Sequence, residues 1–360
     1  MPQENKKKER VKKMIKFGKW VVKFRIPILI LSFLLLIPTG IIYMNTRINY
    51  DILSYLPGDI ETMKGQDILL DEFGTGAFSV AVIDGMQEKE ISQLEDKLKE
   101  IDHVKDVLWY GALADISIPM DMLPDDLKDS LQNADTGSQL MIITFDTSMS
   151  ADETLDAIEE IRGLTNEQCL LSGMSAVVTD IKKICNSEVI MYVVIAAGLS
   201  ALVLALTMDS FLLPFIFLLS IGMAIVYNLG TNFIAGEISF VTQALAAVLQ
   251  LAVTMDYSIF LWHSYLENQE RYPDDRKRAM SHAISQTLTS VVGSSITTIA
   301  GFLAMCFMTF TLGMDLGVVM AKGVVFGVIG CVTILPSMIL AMDKWIEKTR
   351  HCLLYTSPSP

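Results

Sequence analysis

A single carboxylate, Asp256, lies inside an apolar stretch at residues 241–267 that reads VTQALAAVLQLAVTMDYSIFLWHSYLE. A charged side chain at the centre of a bilayer costs roughly 2.5–3.5 kcal/mol on insertion scales. Side chains kept at such a cost usually serve the movement of ions or protons. If the stretch is a membrane helix, Asp256 is therefore a candidate carrier of protons or ions. The alternative is a buried helix of a soluble protein with a hydrogen-bonded Asp, and the rest of the chain argues against it.

Helical spacing sorts this stretch into two faces. The first face carries the carboxylate, one small residue and ordinary packing positions, and consists of Leu245, Leu249, Ala252, Asp256 and His263. The second is a polar stripe rotated by roughly 120°, and consists of Gln243, Gln250, Thr254 and Tyr257. A helix with polar groups on two faces cannot face lipid broadly, so we predict that it lies at the centre of a helix bundle. Tyr257 either hydrogen-bonds a partner carboxylate or only packs, and the sequence favours neither.

A second apolar stretch carries small and hydroxyl residues. They are Gly293, Ser294, Ser295, Thr297, Thr298 and Gly301. Residues of these types let membrane helices pack closely, and this role is favoured for each of them. The alternative is that Thr297 or Thr298 lines a wet path to Asp256, with Ser294 in support. His263, near the end of the Asp256 helix, is either a proton relay or an interfacial residue.

The first 44 residues predict a basic segment followed by a membrane helix. Residues 6–25 contain ten Lys/Arg and one acid, whereas residues 26–44 are 19 positions without a charge. That length is about what the hydrocarbon core requires. Pro38, Gly40 and the bulky residues after them fit a signal-peptide cleavage site poorly, so we predict an uncleaved helix. The basic segment, residues 1–25, is expected in the cytoplasm, at anionic lipid headgroups rather than on nucleic acid.

Residues 45–187 have the composition of a water-soluble domain, with 28 Asp/Glu against 10 Lys/Arg. Strand-like runs at 79–83, 104–110, 139–145 and 168–172 alternate with helical spacing at 91–101 and 155–164. This order predicts an extracytoplasmic α+β domain of the ferredoxin-like βαββαβ type. An unrelated α/β domain is the alternative. An exposed loop is predicted at Pro119, Pro124, Asp125, Asp126 and Gly137.

Five further apolar stretches bring the prediction to a polytopic α-helical membrane protein with six transmembrane helices. They lie at 189–207, 211–229, 240–265, 288–310 and 316–342. The loop at 267–285 and the residues after 342 are basic, and both fall inside when the N-terminus is inside, as the positive-inside rule requires. Residues 188–342 thus form a five-helix membrane bundle, and residues 343–360 a cytoplasmic tail.

Two features of the bundle have their own interpretation. Met280, Ala283, Ile284 and Leu288 recur near helical spacing beside a basic run, which predicts an amphipathic helix on the inner membrane surface before the fifth span. Lys322 lies about two turns inside the outer end of the sixth span. Its long side chain is expected to extend outward to that end.

Together these residues resemble one family, the resistance–nodulation–division (RND) transporters, and in particular its MMPL-type branch. The run Met255-Asp256-Tyr257-Ser258-Ile259-Phe260-Leu261 resembles the Asp-Tyr motif of that branch. Residues 295–304, SITTIAGFLA, are similar to its Thr-Thr-x-x-Gly-Phe segment, and Leu335-Pro336 matches another familiar position. The resemblance in layout extends over about residues 17–348, which correspond to the N-terminal half of a family member. It implies that Asp256 is a proton-relay carboxylate and Tyr257 its companion.

The chain departs from the family pattern in several places. Ala252 and Thr254 stand where the family often has glycine, and Ser264 stands where it usually has a basic residue. Family members usually contain two copies of the unit, and this sequence carries one. We expect a truncated sequence, or a protein that pairs with a second copy of itself. The composition changes abruptly at residues 351–360, HCLLYTSPSP, and we interpret these residues as not native.

The resemblance implies a proton-driven secondary active transporter of the cell membrane that exports a lipid-like, hydrophobic or amphipathic substrate. The alternatives are a sterol- or lipid-sensing receptor that does not transport, and an RND-type accessory factor of secretion. Coupling of transport to sodium instead of protons is a further alternative. The five cysteines and four histidines form no CxxC pair or cluster, so no metal site or cofactor is indicated. The external domain offers no nucleophile–base pair, so an enzyme is the least favoured interpretation. The expected partners are membrane lipids, the substrate, and the missing half or a second copy.

Overall fold

The computed structural model describes residues 2–109, 132–133 and 136–350. They form two compact units. The first consists of Met1–Ile48 and Glu188–Pro360, and the second of Asn49–Ser187. The predicted exposed loop, apart from Gly137, and the residues interpreted as not native lie outside the described part of the chain.

Long helices dominate the first unit, and the strands of one sheet dominate the second. In chain order the longer elements are α1 (Pro2–Lys23), α2 (Arg25–Met44), β1 (Arg47–Asn49), α3 (Glu61–Asp71), β2 (Ala77–Ile83), α4 (Glu88–Lys99), β3 (Val104–Leu108), β4 (Gln139–Phe145), α5 (Asp152–Leu164), β5 (Cys169–Ser172), α6 (Met174–Thr207), α7 (Leu213–Gly230), β6 (Glu237–Ser239), α8 (Phe240–Arg271), α9 (Arg276–Ala304), α10 (Leu312–Ile329) and α11 (Leu335–Lys348).

Among the described residues, six helical segments are long and apolar enough to cross a bilayer, which agrees with the predicted number. They are Arg25–Met44, Met174–Thr207, Leu213–Ile234, Phe240–Arg271, Arg276–Phe307 and Leu312–Lys348. The second begins well before the predicted span, because α6 starts directly after Gly173 and runs on without a break. Gly173 has φ +107°, a conformation that glycine adopts at little cost.

The third, fourth and sixth of these segments lie at the centre of the first unit, since half or more of each is buried. The sixth is not one regular helix. α10 continues through a π-helical turn, Gly330–Ile334, into α11. Pro336 lies in the first turn of α11, and its missing N–H interrupts the regular i→i−4 hydrogen bonds at this point.

The surface helix predicted around Met280 is instead the first part of α9, so that interpretation is wrong. Met280, Ala283 and Ile284 are fully buried, and α1 packs along α9. Gly18 of α1 permits the close approach, because a Cβ there would lie 2.4 Å from the carbonyl oxygen of Ser281. An apolar stripe looks the same whether lipid or protein covers it, and here the stripe is buried in the core of the first unit.

The second unit is built on a four-stranded antiparallel sheet in the order β3-β4-β2-β5. The two central strands place Ala81 opposite Met141, and both side chains are buried in one core with residues of α4 and α5. The other face of the sheet leaves Phe78, Ile142 and Leu170 exposed. The strands and helices follow in the order β-α-β-β-α-β, as the alternating patterns predict.

We predict that Gly18→Ala loosens the packing of α1 on α9. The added methyl group meets the backbone of Ser281, which cannot rotate away, and overpacking of this kind costs about 1–3 kcal/mol. Trypsin should cut α1 faster in the detergent-solubilised variant, and its thermal unfolding midpoint should fall. Gly40→Ala is the matched control, since no atom lies within 4 Å of a Cβ at that position. Equal trypsin sensitivity of the two variants would contradict the close approach.

Candidate functional site

Asp256 lies on an exposed face of α8. The exposed residues of this face are Leu245, Leu249, Ala252, Asp256, Phe260 and His263. No hydrogen bond or ion pair joins the Asp256 carboxylate to any residue that the structure describes. The helix is central to the bundle, yet the face with the carboxylate points away from the core.

The polar stripe of α8 points the other way. Gln250, Thr254 and Tyr257 are buried, and the Tyr257 ring belongs to the apolar core of the first unit. The backbone carbonyl of Tyr257 accepts a hydrogen bond from Cys331 Sγ at 3.2 Å. Asp256 and Tyr257 are neighbours in the sequence, but the structure does not bring their side chains together.

A buried amide pair holds the inward face of α8. Asn228 Nδ2 of α7 donates to Gln250 Oε1 at 2.9 Å, and both side chains are almost completely buried. Gly323 of α10 lies against this pair, because a Cβ there would be 2.7 Å from Asn228 Nδ2. A Cβ at Gly327 would be 2.5 Å from Thr254 Oγ1. Two glycines four residues apart let membrane helices approach closely, so α10 fits against the polar stripe.

Sequence reasoning identified Gln250 and Thr254 but missed their partners. Asn228 is a lone amide in the apolar run of α7, and Gly323 and Gly327 form a small-xxx-small pattern in α10. Both features are visible in the sequence. Neither feature indicates which helices pack against each other.

A second polar group lies near the N-terminal ends of α8 and α10. The Asp315 carboxylate accepts hydrogen bonds from the Ser239 backbone N–H at 2.9 Å and from Thr242 Oγ1 at 2.6 Å. Lys322 is half-buried, and its ammonium donates to Asn232, just beyond the end of α7. The lysine thus extends toward this end of the bundle, in the direction expected from its long side chain.

The hydroxyl residues of α9 do not contact Asp256 in the described part of the structure. Thr297 Oγ1 and Thr298 Oγ1 donate to the Ser294 carbonyl at 2.7 and 3.0 Å, and Ser294 Oγ donates to the Val291 carbonyl at 3.2 Å. These bonds satisfy the hydroxyls within their own helix. Ser294 and Thr297 are exposed, and Thr298 is half-buried. The three residues are therefore accessible, but they are not linked to the carboxylate.

His263 lines a groove between α6 and α8. The cavity has a volume of about 520 Å³, and its other walls include Leu199, Val203, Met255 and Ile259. Asp256 is not among the lining residues. His263 is seven positions after Asp256, which is about 10 Å along a helix. A direct proton transfer between them is therefore excluded, and a relay would need water or another group in between.

The second unit contains an apolar cavity of about 520 Å³. Its walls come from α3, from the start of β2 and from the first residues of α6, and they include Leu53, Ile68, Leu69, Phe78, Met149 and Met174. Ile68, Leu69 and Phe78 are each about half exposed. The cavity is large enough for a small apolar group such as part of an acyl chain.

A double-mutant cycle tests the amide pair. We predict that Asn228→Ala and Gln250→Ala each lower the free energy of unfolding in mixed micelles by about 1–2 kcal/mol, because each leaves a buried polar partner unsatisfied. The free energy of unfolding of the double variant should fall by about 0.5–1 kcal/mol less than the sum of the two single losses. Asn228→Ala combined with Ser264→Ala is the control, since Ser264 bonds Gln286 instead and should add independently. A strictly additive Asn228 and Gln250 pair would rule out the bond.

Comparisons with known proteins relate the chain to membrane proteins. The Streptomyces coelicolor membrane protein SCO5905 is 25% identical over 239 residues, which are 64% of this chain and 28% of that protein. MmpL12 of Mycobacterium tuberculosis, named as a transport protein, is 24% identical over 299 residues, which are 79% of this chain and 24% of that protein. A structure of SecDF, a translocon-associated membrane protein from Thermus thermophilus, has a TM-score of 0.48 and 14% identity, over 92% of this chain and 38% of that chain.

The matched region spans about a quarter of the length of these curated relatives. The MMPL family matches residues 74–353, and that region includes the second unit apart from its first residues and all of the later apolar helices. The chain is therefore a multi-pass membrane protein that belongs to the MMPL family.

Proposed function

We propose that this chain is a unit of a proton-driven secondary active transporter that exports a lipid-like, hydrophobic or amphipathic substrate from the cell membrane. One observation carries the proposal. Asp256 is an ionisable group on an exposed and otherwise mainly apolar face of a candidate membrane span, without a partner among the described residues. The name of the relative MmpL12 as a transport protein supports the same class.

The charge of Asp256 is the quantity that the transport cycle would change. The ionised form costs roughly 2.5–3.5 kcal/mol in hydrocarbon, and the neutral acid does not carry this charge. Uptake of a proton therefore makes the exposed face of α8 compatible with apolar surroundings, and loss of the proton makes it require water or a polar partner. Alternation between these states would couple the flow of protons to a change in helix packing.

The surface that covers Asp256 would come from a second membrane bundle of the same kind as this one. The second half of a longer chain, or another copy of this chain, could supply it. The exposed row Leu245, Leu249, Ala252 and Phe260 supports this, because apolar residues flank the carboxylate on both sides. Ala252, one turn from Asp256, leaves room for a close helix approach.

The membrane topology follows from the charges. The basic segment 1–25 and the tail 343–360 would lie in the cytoplasm, and residues 45–187 outside the membrane as a ferredoxin-like porter domain. The sheet order β3-β4-β2-β5 with a β-α-β-β-α-β chain order supports this domain type. Residues 188–342 would form the membrane bundle with the first helix, 26–44.

The other candidate residues take supporting roles in this proposal. Tyr257 would position α8 through its buried ring, since its side chain does not share a face with Asp256. His263 would pass protons to the cytoplasmic end of the α6–α8 groove. Ser294, Thr297 and Thr298 would support helix packing, because their hydroxyls are satisfied by their own helix.

The apolar cavity of the second unit supports a substrate with apolar parts. Its walls are mainly Leu, Ile, Phe and Met side chains, which offer few hydrogen bonds to a polar solute. A hydrocarbon group that entered this cavity would leave water and gain about 25 cal/mol per Å² of buried apolar surface. The proposed substrate class therefore agrees with this cavity as well as with the membrane setting.

Asp256→Asn should abolish export and leave the fold intact, because Asn has nearly the shape of Asp but cannot cycle a proton. The measurement is the release of a preloaded fluorescent hydrophobic dye, Nile red, from cells that express the chain, with and without a protonophore. We expect the variant to match the protonophore-treated wild type. Asp256→Glu should retain part of the activity.

Asp274→Asn is the matched control, since Asp274 is an exposed carboxylate in the loop before α9 and its loss should not alter export. Replacement of external Na⁺ by choline should also leave export unchanged. Undiminished export by Asp256→Asn would refute proton coupling at this residue. Binding of the dye without its export by the wild type would instead favour the lipid-sensing alternative.

A further inference from the structure

We propose that the first unit holds a binding site for the phosphate-bearing headgroup of an anionic phospholipid, in a basic cavity between α1, the start of α2 and the start of α9. The cavity has a volume of about 710 Å³. Its walls carry Lys19, Lys23, Arg25, Lys277, Arg278 and His282. The site does not depend on the transport proposal, because none of these residues lies near Asp256 in the sequence or takes part in its proposed cycle.

The positive charges of this cavity are not neutralised by the described residues. Asp275 is the only acid among the lining residues, and its carboxylate already accepts the Arg278 backbone N–H at 2.9 Å as the N-cap of α9. No ion pair joins Lys19, Lys23 or Lys277 to an acid anywhere in the described chain. Cations held close together repel each other, so an anion that enters the cavity is stabilised by several of them at once.

The neighbouring Arg276 shows what a neutralised cation looks like in this structure. Its guanidinium donates to Asp343 and Glu347 of α11, and it does not line the cavity. Arg278, two residues on, has no such partner among the described residues and stacks over the Tyr272 ring at 4.4 Å. Stacking fixes the guanidinium plane without using its N–H donors. Those donors remain available to phosphate oxygens, which a guanidinium binds well.

Arg25 supplies a further hydrogen-bond donor to the cavity wall. Its Nε is buried and has no hydrogen-bond partner in the described structure, and its Nη1 makes only a long bond of 3.4 Å to the Val22 carbonyl. A buried donor without a partner is costly. A phosphate oxygen in the cavity lined by Arg25 would be a suitable acceptor.

The surroundings of the cavity indicate a lipid as the source of the phosphate. The apolar span Arg25–Met44 begins at the cavity wall. Trp20 and Phe24, which contact each other with ring centroids 5.6 Å apart, are 51% and 38% exposed. Exposed aromatic rings beside a membrane helix are typical of the headgroup level of a bilayer. A ligand with an anionic head and acyl chains therefore fits both the cavity and the apolar surface beside it.

The test measures lipid retained by the purified full chain. Protein in neutral detergent is incubated with phosphatidylglycerol or with phosphatidylcholine of the same acyl chains, separated from free micelles, and the bound lipid is counted by mass spectrometry. We expect clear preference for phosphatidylglycerol. The pair Lys277→Gln and Arg278→Gln should weaken its binding about 30-fold, and Lys19→Gln with Lys23→Gln on the opposite wall should act alike.

Lys344→Gln with Lys348→Gln is the matched control, because both lysines are exposed cations of α11 outside the cavity. An equal loss in this control would overturn the site in favour of a general charge effect. Equal retention of the two lipids by the wild type would overturn it as well. Displacement of phosphatidylglycerol by millimolar inorganic phosphate would assign the cavity to a soluble anion instead of a lipid.

Discussion

The packing of α10 against the polar stripe of α8 determines which face of α8 lies inside the membrane bundle. Gly323 and Gly327 have no side chains to hold α10 away, so Asn228, Gln250 and Thr254 fit between three helices. Any larger residue at either glycine would meet these polar atoms at less than 3 Å. Because this stripe faces inward, the opposite face of α8, with Asp256, faces outward. The glycines contact Gln250 and Thr254, which lie within about 10 Å of Asp256 along the axis of α8. These contacts therefore determine the direction in which the carboxylate points.

An outward carboxylate has a definite physical consequence. Its ionised form is unfavourable beside lipid, and the described residues supply no cation or donor for it. Lys322 is committed to Asn232 at another part of the bundle, and the hydroxyls of α9 are satisfied within their own helix. The group that pairs with Asp256 in the ionised state must then come from water or from a further polypeptide surface. In the proposed transport cycle, this requirement would link proton binding to contact with that surface.

Much of the fold could be predicted from periodicity, because strands and helices bury residues at different spacings. β4 spans the predicted residues 139–145, and the six apolar segments were all recognised. The contents of the site could not be predicted in the same way. Helical spacing places Asp256 and Gln250 on different faces of α8. One face carries a carboxylate and the other carries amides, and the sequence does not indicate which of the two faces is buried. That depends on Gly323 and Gly327, which lie far away in the sequence.

The same limit applies to charge. The positive-inside rule counts Arg276, Lys277 and Arg278 equally, yet successive helical residues point about 100° apart. Arg276 therefore reaches two acids of α11, while the other two face the lysines of α1. These like charges are held together by the close packing of α1 on α9, in which Gly18 lies against the Ser281 backbone. Because repulsion opposes that docking and an anionic headgroup removes it, the stability of the α1–α9 contact should depend on the charge of the membrane.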